Sequence, residues 1–110
     1  WEAMADIADA HHIRVIFGSI LPVNDYSPAA RDVVQERKPA ELVALNGWLQ
    51  AFCARRGYVY ADYHAAMVDG RGLMKAAYTQ DGVHPLANGY AVMAPIAQRA
   101  IDRALGETGR

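Results

Sequence analysis

At 110 residues the chain is one domain at most, long enough to bury a core. Its hydrophobic fraction of 53% and charged fraction of 21% are those of a globular protein and exclude a disordered or collagenous one. A formal net charge of −1, with acids and bases mixed, leaves no electrostatic footprint for nucleic acid, and no apolar run approaches the ~20 residues that span a bilayer.

Trp1, Met4, Ile7 and Ala8 recur at the three-four spacing of an amphipathic helix ending near Ala10. The chain opens at Trp1, inside that helix and without an initiator Met, and is expected to be an excised piece of a longer protein. His11-His12 close the helix; adjacent side chains diverge, so no metal site is read from them. Ile13 to Phe17 is a β-branched and aromatic run ending at Gly18, the pattern of a buried strand. Leu21-Pro22 stops it, and Asn24 to Pro28 has the composition of a loop.

Pro39 suits the first turn of a helix, where its missing N–H would be unpaired anyway. Leu42, Leu45, Leu49 and Phe52 follow on one face, and Arg55-Arg56-Gly57 supplies cations and a left-handed terminator. Arg31 and the Arg55-Arg56 pair are read as solvated. Cys53 beside Phe52 is a small buried hydrophobe, and as the single cysteine it excludes an intrachain disulfide without fixing a compartment. Tyr58 to Tyr63 forms a second strand, with the tyrosines at core and rim and Asp62 as a helix cap. A long segment from His64 to Gln80 leads to Asp81. From Leu86 a last helix carries Tyr90, Val92, Met93, Ile96, Ala97, Ala100, Ile101 and Leu105, and Pro95 should kink it or cost it a hydrogen bond.

Helix, strand, helix, strand, helix implies parallel strands joined by right-handed crossovers, an α/β sandwich. Two strands make a poor parallel sheet, since both faces and both edges need cover. Either a partner strand comes from elsewhere or the chain is half a fold, and its exposed sheet edge would then favour a homodimer.

Asp81-Gly82-Val83-His84-Pro85 is the stretch with readable chemistry. A nucleophilic hydrolase needs a nucleophile, a base to take its proton, and donors for the oxyanion. An imidazole titrates near neutral pH, and a carboxylate three residues away in a tight turn can fix its tautomer. Gly82 permits unusual dihedrals and Pro85 holds His84 extended. Spacing alone is weak: random placement gives roughly 0.3 Asp-x-x-His pairs in such a chain, and Asp9–His12 repeats the spacing without any such context. Ser19 after Gly18 and Ser27 before Pro28 are the only serines; the first reads as a strand-end residue, the second as turn chemistry. His64 has Ala61 where an acid would stand.

The string Asp81-Gly82-Val83-His84-Pro85-Leu86-Ala87-Asn88-Gly89-Tyr90-Ala91-Val92-Met93-Ala94 resembles the final block of the SGNH, or GDSL-type, esterase/lipase family. Gly18-Ser19-Ile20-Leu21-Pro22-Val23 looks like that family's penultimate strand and active-site loop, and Tyr58–Asp62 like the strand before a Met-containing helix. The resemblance implies part of a three-layer α/β/α sandwich with parallel strands, flavodoxin-like. It also implies ester hydrolysis by a Ser-His-Asp triad in which His84 is the base and Asp81 its orienter. No metal or organic cofactor is implied. The substrate would be a small acyl ester, of acetylated-sugar or lysophospholipid class.

The family's Gly-Asp-Ser block and its Gly-x-Asn-Asp string, which supply the nucleophile and oxyanion donors, do not occur in this chain. Asn24-Asp25 follows the Ile-Leu-Pro loop instead of preceding that strand, so no role is carried onto it. The expectation is therefore residues 1–110 as the C-terminal portion of a single hydrolase domain, inactive alone. The rival readings are a truncated hydrolase-like module that binds or self-associates, and an unrelated α/β domain in which Asp81 and His84 point apart.

Overall fold

The computed structural model describes residues 1–106 of the chain. Helix α1 (Glu2–Ala10) leads into strand β1 (Ile16–Gly18); a 3-10 turn (Pro28–Ala30) and helices α2 (Val33–Glu36) and α3 (Pro39–Arg56) follow. Strand β2 (Val59–Ala61), helix α4 (Tyr63–Met67), a second 3-10 turn (Ala76–Tyr78) and helix α5 (Ala87–Leu105) complete the order.

Strands β1 and β2 pair in parallel, with Ile16 opposite Val59, Phe17 opposite Tyr60 and Gly18 opposite Ala61. Parallel pairing needs a long crossover, and the 18 residues of α3 supply it. Pro39 opens α3 and Gly57 ends it in the left-handed region at φ 77°, donating its N–H to the Cys53 carbonyl. Glu41 in the first turn and Arg55 and Arg56 in the last complement the helix dipole.

Ala5, Phe17, Leu49, Phe52 and Cys53 form the buried cluster between α1, α3 and the sheet, with Val15, Tyr58 and Tyr60 packed against it. Phe17 meets Phe52 and Tyr58 edge-on at 5.9 and 5.8 Å. Because strand side chains alternate, the neighbours of Phe17 and Tyr60 face the opposite side, where α5 packs on both strands and on α4. The result is the α/β layering with parallel strands that the sequence implies.

Three differences from the sequence expectation have physical reasons. In α1 the residue that is buried is Ala5, while Met4 and Ile7 are 57% and 63% exposed. A methyl side chain lets α1 approach the α3 residues Leu49, Phe52 and Cys53 closely, and Trp1 lies outside, stacked on Trp48 at 5.7 Å. Arg56 is not merely solvated. Its guanidinium donates to Asp6 at 2.9 Å and Asp9 at 3.1 Å and lies over the Phe52 and Tyr58 rings, tying the end of α3 to α1. Helix α2, of four residues, is too short to show a period and stands where a connecting segment was expected, whereas α4 follows its Asp62 cap and ends at Met67, as the resemblance implied. In line with expectation, Pro95 costs α5 a hydrogen bond without ending it; Pro95 and Ala91, whose carbonyl loses its partner, are both exposed, so water can take that bond.

Candidate active site

The turn that opens α5 is locked by its own first residue. One oxygen of the Asp81 carboxylate, Oδ1, accepts the backbone N–H groups of Val83 at 2.9 Å and His84 at 2.8 Å. The other, Oδ2, lies 2.7 Å from Nδ1 of the His84 ring. An aspartate that bonds its own backbone two and three residues on is a familiar turn device, here carrying an imidazole at its end. Gly82 sits between them at φ 83°, in the left-handed region.

Beneath the turn, Leu86 donates its N–H to the Tyr78 carbonyl at 2.7 Å, and Thr79 and Pro85 form an antiparallel bridge. The buried Thr79 hydroxyl accepts the Gly82 N–H at 3.1 Å and lies 2.9 Å from the His84 carbonyl. Gly89, one turn into α5, is buried, and a Cβ there would come within 3.3 Å of Pro85, Tyr78 and Met67, so a larger residue would force these neighbours to give way.

The loop after β1 forms the opposite wall. Asn24 donates its backbone N–H to the Gly82 carbonyl at 3.0 Å and its side-chain amide to the Met74 carbonyl at 3.0 Å. Ser27 donates to the Gln80 carbonyl at 2.7 Å. Further up the loop, the buried Asn46 of α3 accepts the Ile20 N–H at 2.7 Å and donates to the Ile20 carbonyl at 2.9 Å, so it fixes the exit of β1.

These contacts decide the charge state. The His84 N–H, the His84 ring and the Val83 N–H, in that order, hold the Asp81 carboxyl well below the usual carboxylate range. An ionised carboxylate only accepts, so at 2.7 Å the proton of the pair sits on Nδ1 of the imidazole. In the neutral ring Nε2 is then a lone pair. The His84 side chain is 79% exposed and the Asp81 side chain 47%, so the pair stands at the surface. The pair borders a shallow cavity of about 240 Å³ lined by Ala29, Gln80, Asp81, His84, Pro85 and Leu86.

A larger cavity of about 530 Å³ opens at the other ends of the strands, by Val15 and Val59, and includes Arg14, Arg56 and Arg103. Arg56 and Arg103 stand in the last turns of α3 and α5, where cations offset the helix dipole, so structure accounts for them. Among the described residues no three His, Cys, Asp or Glu side chains gather into a metal site, and no helix is long and apolar enough to cross a membrane.

Other sequence candidates have structural duties. The buried Ser19 hydroxyl accepts the His64 N–H at 3.0 Å in the first turn of α4, and Asp62 caps the same helix through the Ala65 N–H at 3.1 Å. Ser27 caps the 3-10 turn. Cys53 is buried, which pushes its thiol up. His11 and His12 end α1, and the Asp9 carboxylate is taken by Arg56 and Tyr58. The spacing Asp9–His12 thus shares nothing with Asp81–His84 beyond its length. Thr79 and Asn24 escape sequence reading: both act on the turn through backbone groups, and a Thr two residues before a turn Asp is the only local sign.

A family model for the GDSL-like lipase/acylhydrolase family matches residues 1–92. The chain belongs to the GDSL-like lipase/acylhydrolase family. Its fold is similar to that of a proposed acylhydrolase from Bacteroides fragilis, at 35% identity and a TM-score of 0.81 over 94% of this chain and 49% of that one. It is likewise similar to a GDSL-like lipase from Bacteroides thetaiotaomicron, at 32% identity and a TM-score of 0.80 over 94% and 49% of the two chains. The esterase domain of a zebrafish retrotransposon protein shares the fold alone, at 18% identity and a TM-score of 0.70 over 93% and 55%. No curated protein matched the chain. The chain spans about half the length of the two Bacteroides relatives.

Proposed function

We propose that this chain supplies the acid and base of a Ser-His-Asp ester hydrolase, with His84 as general base and then acid and Asp81 as its orienter. The observation that carries the reading is the 2.7 Å contact of His84 Nδ1 with a carboxylate already fixed by two backbone N–H groups. The reaction follows from that geometry. Nε2 takes the proton of a serine hydroxyl as its oxygen attacks the ester carbonyl, and the imidazolium is stabilised by Asp81. It then protonates the departing alkoxide, leaving an acyl-enzyme, and the same two steps with water release the acid and regenerate the serine.

Ser19 and Ser27 have other partners and lie outside the cavity that holds Asp81 and His84. The nucleophile and oxyanion donors therefore come from residues outside this chain, which is the C-terminal portion of a longer hydrolase domain. The substrate is a small carboxylic ester; the shallow cavity does not select between acetylated sugars and lysophospholipids. The test is turnover of an aryl acetate. The 110-residue chain alone should be inactive, and His84→Ala in the longer protein should lower kcat by roughly 10³–10⁶. Turnover by the chain that vanishes in Ser19→Ala, or near-normal rates for His84→Ala, would overturn the assignment.

A second reading is self-association. Among the described residues β1 and β2 each have one neighbour in the sheet, and such edges invite pairing with another strand. Light scattering of the 110-residue chain should then give the mass of a dimer; a stable monomer argues against it.

A further inference from the structure

We propose that Thr79 is a positioning residue for His84, holding the residue that carries the imidazole by a hydroxyl clip across the turn. This inference rests on the reading of Asp81 and His84 as the orienter and base of an ester hydrolase.

Thr79 is 7% exposed, and its side chain lies under the turn without reaching any reacting group. Its hydroxyl has one proton to donate and lone pairs to accept with. It accepts the Gly82 N–H at 3.1 Å. Two oxygens compete for its proton: the His84 carbonyl at 2.9 Å and Asp81 Oδ1 at 3.4 Å. Distance decides for the carbonyl. Asp81 Oδ1 meanwhile takes the N–H groups of Val83 and His84. Carboxylate and hydroxyl divide the turn between them, and every N–H from Gly82 to His84 has a partner.

The two clips are not equivalent for catalysis. The carboxylate bonds set the start of the His84 residue, at its nitrogen, and the ring, at Nδ1. On the other side its carbonyl accepts the Thr79 hydroxyl at 2.9 Å, and the Thr79–Pro85 bridge with the Leu86 N–H on the Tyr78 carbonyl holds the backbone just beyond it. Without the hydroxyl the His84 carbonyl loses its side-chain partner while the Asp81 contacts and the Thr79–Pro85 bridge survive, and a small tilt of the His84–Pro85 peptide carries the Cα–Cβ direction of His84 with it. An imidazole displaced by a fraction of an ångström still binds its carboxylate, but no longer meets a serine proton on line. The effect belongs in kcat, because Thr79 does not itself line the cavity and acts only through His84.

The isosteric Thr79→Val removes both bonds and keeps the volume; Thr79→Ser keeps both bonds and loses a methyl. In the longer hydrolase that contains this chain, Thr79→Val is expected to lower kcat for an aryl acetate roughly 10–100-fold with KM nearly unchanged. Thr79→Ser should return kcat to within about threefold of the parent. Should the valine variant fail to fold, Thr79→Ala leaves the same groups unpaired in a looser site and should show the same split. Unchanged kcat in the valine or alanine variant overturns the proposal, as does a serine variant as slow as valine, or a loss confined to KM. His84→Ala in the same assay separates the two claims: full activity there removes the underlying reading, whereas a dead His84→Ala beside a normal Thr79→Val removes only the positioning role.

Discussion

Gly82 and Asn24 meet backbone to backbone, and nothing larger than a hydrogen fits between them. Asn24 donates its N–H to the Gly82 carbonyl at 3.0 Å, while a Cβ on Gly82 would run into the Asn24 carbonyl oxygen and lie 2.6 Å from the Ala30 methyl. The loop after β1 is thereby pressed on the turn that carries His84. Gly82→Ala faces that clash and an unfavourable left-handed φ together, and should destabilise the chain by about 2–3 kcal/mol. Thermal unfolding measures this, and a change below about 0.5 kcal/mol would show that the two loops separate in solution.

Asp81 should stay ionised far into acid. Its folded pKa is depressed from 3.8 by the His84 N–H, the His84 ring and the Val83 N–H, so the unfolded chain binds this proton more readily than the fold does. The stabilisation is complete above about pH 5 and is lost as pH falls through the ordinary carboxylate range towards the folded value. A carbon-detected NMR titration should place the Asp81 midpoint below the ordinary carboxylate range. A midpoint near 4 would mean that the three bonds do not persist.

His12 stands in the left-handed region at φ 57°, immediately after the cap residue of α1, with the Ile13 N–H returned to the Ala8 carbonyl at 2.9 Å. That is a helix ending which favours glycine. A side chain there costs about 1–2 kcal/mol, against about 0.5–1 kcal/mol for the extra entropy of an unfolded glycine. His12→Gly should therefore raise stability by about 0.5–1 kcal/mol, read as a higher urea midpoint at constant slope. A lower midpoint would show that the imidazole makes a compensating contact.

Much of this was legible where the signal is local. Pro39 and Gly57 bound α3 as their chemistry dictates, Asp62 caps α4, and the Asp81–His84 turn forms from residues three apart. The parallel sheet followed from element order alone. What stayed hidden depends on distant partners. Met4 and Ile7 read as core because they are apolar, yet α1 turns Ala5 to α3, a choice made by the shape of Leu49 and Phe52. Arg56 read as solvated because Asp6 and Asp9 are about fifty residues away. Asn46 and Thr79 are buried polar residues, and only the folded chain shows which backbone groups they satisfy.

Asn46 makes that dependence measurable. It is 7% exposed and satisfies both polar groups of Ile20, one with each end of its amide. Asn46→Leu leaves the Ile20 N–H and carbonyl without partners and should cost about 2–4 kcal/mol. Asn46→Asp keeps the acceptor, loses the donor, and adds a buried charge, so it should be no better. Chemical denaturation separates these expectations from a surface role, for which both would be within about 0.5 kcal/mol of the parent.

Asp81→Asn distinguishes orientation from scaffolding. The amide oxygen can replace Oδ1 and go on accepting the Val83 and His84 N–H groups, so the turn should keep its shape. The amide nitrogen then replaces Oδ2 beside Nδ1. It is a donor, and its neighbour must become an acceptor, so the imidazole proton moves to Nε2, the atom that should receive the serine proton. Unfolding temperature should fall only by the charge-assisted part of those two bonds, while kcat of a longer protein that completes the triad falls by about 10⁴ or somewhat less. Nitrogen NMR of His84 in the variant should report the Nε2–H tautomer. Equal losses of stability and rate would instead make Asp81 a structural residue, and an unchanged tautomer would break the link between this carboxylate and the base.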